Sequence, residues 1–140
     1  MAIDITQAFF DALSADSNLV ALLSTFSGQP AIFTGRTIPP DADRPYVWTV
    51  GEASQEPDEE AKDTAARTLV RDIWIVADDK GSADEVEEIA ERVREIMHRA
   101  ALTLGAVQWR TMASGPRMGE TDDKSRLQAR IVSVRASFFE

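Results

Sequence analysis

The stretch "TLVRDIWIVADDKGSADEVEEIAERVREIM", Thr68–Met97, joins two hydrophobic patterns of different period and decides the fold. Up to Asp78, apolar residues occupy both faces of a segment rich in β-branched and aromatic side chains. A strand that is apolar on both faces is typical of the middle of a sheet that is covered on both sides. This first part therefore predicts a central strand with a helix against one of its faces.

The second part of the stretch predicts an amphipathic helix. Ser82 and Glu85 have the spacing of a capping box, and Gly105 stands where a C-terminal glycine cap is expected. One apolar stripe recurs at helical spacing between them. It consists of Val86, Ile89, Ala90, Val93, Ile96, Met97 and Ala100. We expect one long helix that packs on the sheet and turns its acidic face to water.

Short helices and a further strand precede this stretch. Apolar residues recur at helical spacing from Ile5 to Ser14, and Ser17 is positioned as the N-cap of a second short helix. The prolines and the glycine that follow predict mostly loop. Pro45 then introduces the run "YVWTV", whose β-branched and aromatic residues predict a strand that begins at Tyr46.

Two strands separated by a long loop are predicted at the C-terminal end. The strands are "VQWRTM", Val107–Met112, and "RLQARIVSVRASFF", Arg126–Phe139. Apolar residues of the last strand change face near Arg130, which predicts a bulge or a twist there. The order of elements predicts an α+β domain over residues 1–140: a mainly antiparallel sheet of about four strands, packed by one long amphipathic helix, with short N-terminal helices.

The composition excludes several classes of function. The 140 residues contain no cysteine and one histidine, His98, so a disulfide framework, a thiolate metal site and a cysteine nucleophile are excluded and zinc is disfavoured. A formal net charge of −9 argues against broad binding of duplex nucleic acid, whose affinity comes from lysine and arginine. The apolar runs are far shorter than the ~20 residues of a membrane span, and "MAIDITQ" lacks a basic n-region. We therefore expect a soluble protein, made in the cytoplasm, with no membrane partner.

An acidic motif raises the alternative of a metal-dependent nuclease. In "PDEEAK", Pro57–Lys62, the spacing Glu-x-Lys is typical of nucleases in which two acids hold a divalent cation and a lysine orients water. Here the acids are nearly consecutive in a segment without a strand pattern, which is a poor frame for an octahedral ion. The chain also has no glycine-rich phosphate loop and no nucleophile elbow. We expect no catalytic residue, no metal and no cofactor.

The three tryptophans each fall within a predicted strand, where a large ring most often belongs to the core. They are Trp48, Trp74 and Trp109. We expect Trp74 to be a core residue. Trp109 stands next to Arg110 on a strand that we interpret as an edge, and protein interfaces are rich in both residue types. Trp109 is therefore the aromatic residue that we expect to face a partner.

The order of these patterns resembles that of a known family. "GRTIPPDADRPYVWTV", the Thr68–Met97 stretch and "RLQARIVSVRASF" together look like the tail-terminator or tail-completion family of tailed bacteriophages and gene-transfer particles, over roughly Leu19–Phe138. The resemblance implies a structural virion protein that forms a homohexameric ring on the end of the tail tube. Such a ring halts tube growth and presents a surface to the head connector. No reaction is implied, and no catalytic residue.

The partners and the location follow from that resemblance. The expected partners are other copies of the chain, the tail tube protein and the head-tail connector protein. DNA would pass through the lumen of the ring without specific binding. The protein would lie in the virion tail and, during assembly, in the host cytoplasm. Another neck, head-completion or interaction module of similar fold is the alternative, besides the nuclease.

Two long polar loops, Glu52–Ala66 and Ala113–Ser125, are the predicted binding elements, because loops of this length in a compact domain are usually functional or disordered. The first loop would order against a neighbour or the tube end, or face the lumen; a solvated loop without a role is the simpler alternative. A basic final segment that includes Arg135 would pair with this acidic loop across the ring, since ring closure joins unlike patches of one subunit. The predicted interface residues are Glu52, Glu56, Asp58, Glu59, Glu60, Asp63, Trp109, Arg110, Arg117, Lys124, Arg126 and Arg130.

Overall fold

In the computed structural model of the chain, the described residues form a seven-stranded mixed β-sheet with three helices on one of its faces. The structure describes residues 6–34, 38–49, 54–57, 66–79, 83–98, 100–104, 107–119 and 126–139. The helices are α1 (Thr6–Ser14), α2 (Ser17–Leu22) and α3 (Asp84–Met97). The strands are β1 (Thr25–Phe26), β2 (Gln29–Pro30), β3 (Ile32–Phe33), β4 (Tyr46–Trp48), β5 (Ser54–Pro57), β6 (Ala66–Asp78), β7 (Ala101–Leu104), β8 (Val107–Met118) and β9 (Leu127–Phe139). The predicted α+β class is confirmed, but the sheet has more strands than the four or so that were expected.

The main sheet has the strand order β3-β4-β6-β9-β8-β7, and β5 pairs with a second part of β6 beside β4. β6 and β9 form one antiparallel ladder that runs from the pair Ala66↔Phe139 to the pair Asp78↔Leu127. The β3–β4 pair is parallel. β6 has neighbours on both sides, so the prediction of a central strand from its alternating residues is confirmed.

The hydrophobic core lies between the helices and one face of the sheet. Alternate residues of β6 and β9, such as Ile73 and Val132, point to this face, and the apolar stripe of α3 packs on them. Removal of this apolar surface from water is what holds the helices on the sheet. The largest fully buried side chains are Trp109, Phe9, Leu13, Leu19, Ile73, Ile75, Ile89, Met97, Val47 and Val86.

Helix α3 is shorter than the sequence pattern predicts. It begins after Ala83, whose side chain makes no cap hydrogen bond, and it ends at Met97. Ala101–Leu104, which follows the helical pattern closely enough to be taken as its last turn, forms β7 and pairs with β8. The predicted caps Ser82 and Gly105 lie outside the described residues.

Both predicted polar loops are partly strand. Ser54–Pro57 forms β5, which is hydrogen-bonded to β6, and β8 continues as far as Met118. These corrections shorten both loops, because the backbone of each flanking segment extends an existing strand ladder. Residues 58–65 and 120–125 lie outside the described residues.

The irregularity of the C-terminal hairpin lies in β8 and not in β9. Ser114 is opposite Ser133, whereas Arg117 is opposite Ile131, so β8 contains one residue more than β9 over this interval. The ladder between β9 and β6 is continuous through the same region. The bulge predicted near Arg130 is therefore wrong in its strand, although it falls at nearly the right level of the sheet.

The second face of the sheet, called the open face below, carries none of the three helices. Trp74 lies on this face in register with Trp48, and it is half-buried, so its predicted place in the core is wrong. Its ring packs against Gly119, where an added Cβ would come within 2.8 Å of Trp74 Cζ3. At one end of the face Phe33 meets Tyr46 edge to face, with ring centroids 5.6 Å apart.

Candidate interaction surfaces

An exposed methionine between two arginines lies on the open face of the sheet. Met112 of β8 is directly opposite Arg135 of β9, and Arg110 is the diagonal neighbour of Arg135. Residues directly opposite in such a pair have Cβ atoms about 5 Å apart. All three side chains are exposed, Met112 to 53%. We call these three residues the basic patch.

Neither arginine of the basic patch is neutralised by another residue that the structure describes. The ion pairs within the described residues involve other arginines: Arg44, Arg92, Arg94, Arg117 and Arg130. The patch therefore presents two positive charges around an apolar side chain.

Arg117 lies beyond the patch on the same face, and its charge is already balanced. Its Nη2 is 3.2 Å from Oδ2 of Asp72, and its Nη1 donates to Oγ of Ser133 at 3.3 Å. Ser133 in turn donates to Oδ1 of Asp72 at 2.6 Å. Arg117 is exposed, as an interface residue would be, but its part in an interface stays a prediction.

A groove of about 440 Å³ runs between α2 and α3 on the other side of the molecule. Ala21 and Leu22 of α2 give it an apolar wall. The α3 wall carries Glu88, Glu91 and Glu95, which are exposed and stand one helical turn apart in sequence. We call it the acidic groove.

Asp16 and Arg92 tie together the two helices that form this groove. Asp16, and not the predicted Ser17, is the N-cap of α2, and its Oδ1 accepts from the backbone N–H of Leu19 at 2.8 Å. The same carboxylate accepts from Nε of Arg92 at 3.1 Å. The hydrogen bond from Arg92 is the largest cause that lowers the pKa of Asp16 below its ordinary value, while burial acts in the opposite direction. The same contact raises the pKa of Arg92, which also donates to Glu95 at 3.1 Å.

Trp109 is fully buried, so the prediction that it faces a partner is wrong. Its side chain belongs to the core on the helix side of the sheet. The sequence pattern predicts β8 to be an edge strand because it places Ala101–Leu104 in the helix. In the structure these residues form β7, which pairs with β8 and has Leu102 opposite Trp109 in register. Arg110, the next residue, points to the open face and is exposed.

Arg130 is also unavailable for the interface that was predicted for it. It is 9% exposed, its Nε donates to the carboxylate of Glu87 on α3, and its Nη1 donates to the carbonyl oxygen of Ala129 at 2.9 Å. The side chain joins the helix to the sheet. Arg126 is exposed at the start of β9, where its carbonyl oxygen accepts from the N–H of Asp79 at 2.8 Å, and its predicted contact stays a prediction.

The acidic loop is mostly outside the described residues. Glu56 lies on β5, opposite Thr68 in register. Six further predicted interface residues are not described: Glu52, Asp58, Glu59, Glu60, Asp63 and Lys124. The pairing of this loop with the basic final segment therefore stays a prediction. Of the nuclease motif only Pro57 is described, and the described residues contain no group of three histidine, aspartate or glutamate side chains that could hold a metal ion.

Burial along β8 shows where the basic patch lies. Between Trp109 and Ala113 the residues alternate between buried and exposed, which is the period of a strand with one face toward the core. The sequence does not show this alternation, because Thr111 is polar and buried while Met112 is apolar and exposed, and Met112 is not among the predicted interface residues. The acidic groove depends on how α2 packs against α3, and the sequence pattern does not reveal that arrangement.

The sheet therefore has helices and the acidic groove on one side and carries the basic patch on the other. The family model described as "Tail completion protein gp17" matches residues 7–137, and the chain belongs to this family. It is a structural protein of the phage tail class, which confirms the resemblance seen in the sequence. None of the described helices has the length and apolar character needed to cross a membrane.

The solved structures that are similar to the chain include the following two. One is a chain in the virion of a native gene transfer agent particle, with a TM-score of 0.74 and 18% identity over 97% of this chain and 95% of that chain. The other is the gp17 protein of bacteriophage SPP1, with a TM-score of 0.55 and 19% identity over 94% of this chain and 87% of that chain. At such identities the likeness shows a shared fold. No curated protein sequence matches the chain.

Proposed function

We propose that the chain closes the end of a tail tube as a homohexameric ring, stops elongation of the tube and forms the surface on which head and tail join. The observation that carries this proposal is the match to the tail completion family over residues 7–137. Its partners are the tail tube protein and the head-tail connector protein, and DNA passes through the lumen of the ring. The subunit acts in the host cytoplasm during assembly and then remains in the tail.

The presence of two different surfaces on opposite sides of the subunit supports a ring. A cyclic assembly needs two different patches that meet between neighbouring copies, because each subunit uses one patch toward the left and the other toward the right. The chain has an open sheet face on one side and a helical layer on the other, and these differ in charge. A subunit that used a single self-complementary patch would instead form a closed dimer.

Growth of tail tubes in vitro tests this function. Purified tube protein is allowed to polymerise with increasing amounts of the chain, and tube length is measured by negative-stain microscopy. We expect shorter tubes with a ring at one end, at amounts far below one chain per tube subunit, because only the end is occupied. Tubes of unchanged length at saturating amounts of the chain would contradict the proposal. Binding to the connector without any effect on tubes would favour another neck module.

The acidic loop is proposed to contact a neighbour or the tube end. Neutralising its carboxylates with Asp58→Asn, Glu59→Gln, Glu60→Gln and Asp63→Asn keeps the length of the segment and leaves β5 intact. We expect attachment to purified tubes to weaken at least tenfold, because complementary charges set the orientation and the rate of docking. A matched control neutralises Asp41 and Asp43, two exposed carboxylates of a different segment. Undiminished attachment would remove the role of the loop and leave the capping function untouched.

A further inference from the structure

We infer that neighbouring subunits meet head to tail, with the basic patch of one copy, Arg110, Met112 and Arg135, seated in the acidic groove between α2 and α3 of the next. The inference rests on the ring proposed above and names the surfaces that close it. The occupant of the groove is thus a second copy of this chain.

The two surfaces lie on opposite sides of one sheet. The basic patch belongs to the open face, since Trp109 and Thr111, which alternate with its β8 residues, are buried on the helix side. The acidic groove lies on the helix side, between two helices that cover that face. Because one subunit carries both surfaces and cannot bring them together within itself, the contact repeats from copy to copy and closes a ring if the rotation allows.

The charges of the two surfaces are complementary. The charged residues that line the groove are three glutamates and Arg92, and Arg92 is held by Asp16 and Glu95. Glu88 has no ion pair with any other residue in the described part of the chain. Arg110 and Arg135 likewise have none there. Glu91 and Glu95 already pair with Arg94 and Arg92, so Glu88 is the groove carboxylate that a neighbour can neutralise. Opposite charges on two surfaces fix the register of an interface.

The apolar parts also correspond. Met112 is a large apolar residue that is exposed to 53% and lies beside the two arginines, so its side chain is available for burial in a contact. Methionine is unbranched and adapts to irregular surfaces. Ala21 and Leu22 give the groove an apolar wall against which Met112 can pack, beside an ion pair of the patch with Glu88. Burial of this side chain supplies affinity, while the arginines supply orientation.

Disulfide trapping tests the contact directly, because the chain contains no cysteine. The variant Ala21→Cys with Met112→Cys places one thiol in each surface, and the two thiols of one chain are separated by the sheet and cannot pair. Oxidation in the presence of tail tubes should give a ladder of covalent species from dimer to hexamer on a non-reducing gel. The control Asp41→Cys with Met112→Cys moves one thiol to an exposed residue outside both surfaces and should give no ladder.

Exchanging the charges of Arg135 and Glu88 provides a second test of the contact. We expect Arg135→Glu or Glu88→Arg, each made in the paired-cysteine chain, to lower the yield of the ladder at least tenfold, and the two together to restore it. A merely misfolded variant would not be rescued by a second change. Loss in the singles with no rescue in the combination would overturn the pairing.

Microscopy of the same samples separates this inference from the proposed function. Capped tubes without a ladder would overturn the head-to-tail contact and leave the capping function standing. A ladder without capped tubes would support the contact and contradict the capping function. Absence of both would overturn both.

Discussion

Asp16 has two roles at the start of α2, and one substitution separates them. Its carboxylate caps the helix through the N–H of Leu19 and also binds the guanidinium of Arg92 on α3. Asp16→Asn keeps a side-chain oxygen for the cap but removes the charge. We expect the variant to unfold at a lower urea concentration than the native chain at about pH 7, because the ion pair between the two helices is lost.

The pH dependence of that difference has a definite sign. The pKa of Asp16 is lower in the folded chain than its ordinary value of 3.8, mainly because of Arg92, so the unfolded chain holds more protons between the two values. The contribution is therefore complete above about pH 4 and is lost as the pH falls through the folded pKa. Urea unfolding of both chains between about pH 2.5 and pH 7 measures it. A difference in unfolding free energy that does not change with pH would contradict this account.

Gly115 is the residue on which the bulge of β8 depends. Its φ of +104° lies in the region that favours glycine, and an added Cβ would stand 2.9 Å from the carbonyl oxygen of Ile131. We expect Gly115→Ala to lower the free energy of unfolding by more than about 2 kcal/mol, since backbone strain and overpacking add. Gly28→Ala is the matched control, because Gly28 has a φ of +79° but no atom within 4 Å of the added Cβ. Thermal unfolding measures the loss of stability in both variants. Equal losses would show that the contact with Ile131 is unimportant.

At the scale of elements, the junction between α3 and the sheet depends on Thr111. Its hydroxyl, which is buried, donates to the carbonyl oxygen of Met97 and accepts from the N–H of Ala100 at 3.0 Å. Thr111→Val keeps the shape but leaves these backbone groups without their partner. We expect a loss of about 1 to 3 kcal/mol in the free energy of unfolding.

Thr111→Ser is the control for that prediction, because it keeps the hydroxyl and removes one methyl group. Its cost should be about 1 kcal/mol or less. Chemical unfolding followed by tryptophan fluorescence reports both variants, since Trp109 lies in the same core. A larger cost for serine than for valine would show that packing, and not hydrogen bonding, makes the junction.

The sequence predicts well those elements whose hydrophobic pattern is local. The apolar stripe of α3 and the alternation in β6 are local patterns, and both elements form where those patterns stand. The end of α3 is not local: Ala100 continues the stripe, but β8 binds the end of the helix through Thr111 and through an N–H of Ala113 that donates to Nδ1 of His98 at 3.3 Å. Strand pairing likewise converts parts of two polar loops into β5 and the end of β8, because each segment pairs with the strand that follows it, β6 or β9.

The candidate interaction surfaces likewise depend on contacts between elements, which a local sequence pattern does not show. Arg110 is predicted as an interface residue beside Trp109, whereas its proximity to Arg135 depends on the register between β8 and β9. Trp109 is buried because its side chain belongs to the core on the helix side of the sheet. Charge in the sequence therefore indicates that a residue is near the surface, but the partner of that charge is decided by topology, as the pair of Arg130 with Glu87 illustrates.

At the scale of the whole molecule, the chain has a negative net charge, whereas the basic patch on the open face is positive. The net charge of the chain is −9, while the basic patch presents two arginines without an ion pair among the described residues. The field at distances beyond a Debye length, about 8 Å at physiological salt, follows the net charge. In the proposed ring, the net negative charge would repel a duplex in the lumen before it reached individual arginines, provided that the open face does not line the lumen.

We therefore expect the chain to show no measurable affinity for duplex DNA, and lowering the salt should not produce any. Proteins that bind DNA through lysine and arginine gain affinity steeply as salt falls, because they release condensed counterions. Fluorescence anisotropy of a labelled duplex between about 20 and 200 mM salt measures this, with Arg110→Glu and Arg135→Glu as the comparison chain. If the native chain bound more tightly at low salt and the comparison chain did not, Arg110 and Arg135 would contact the duplex, and this expectation would be wrong.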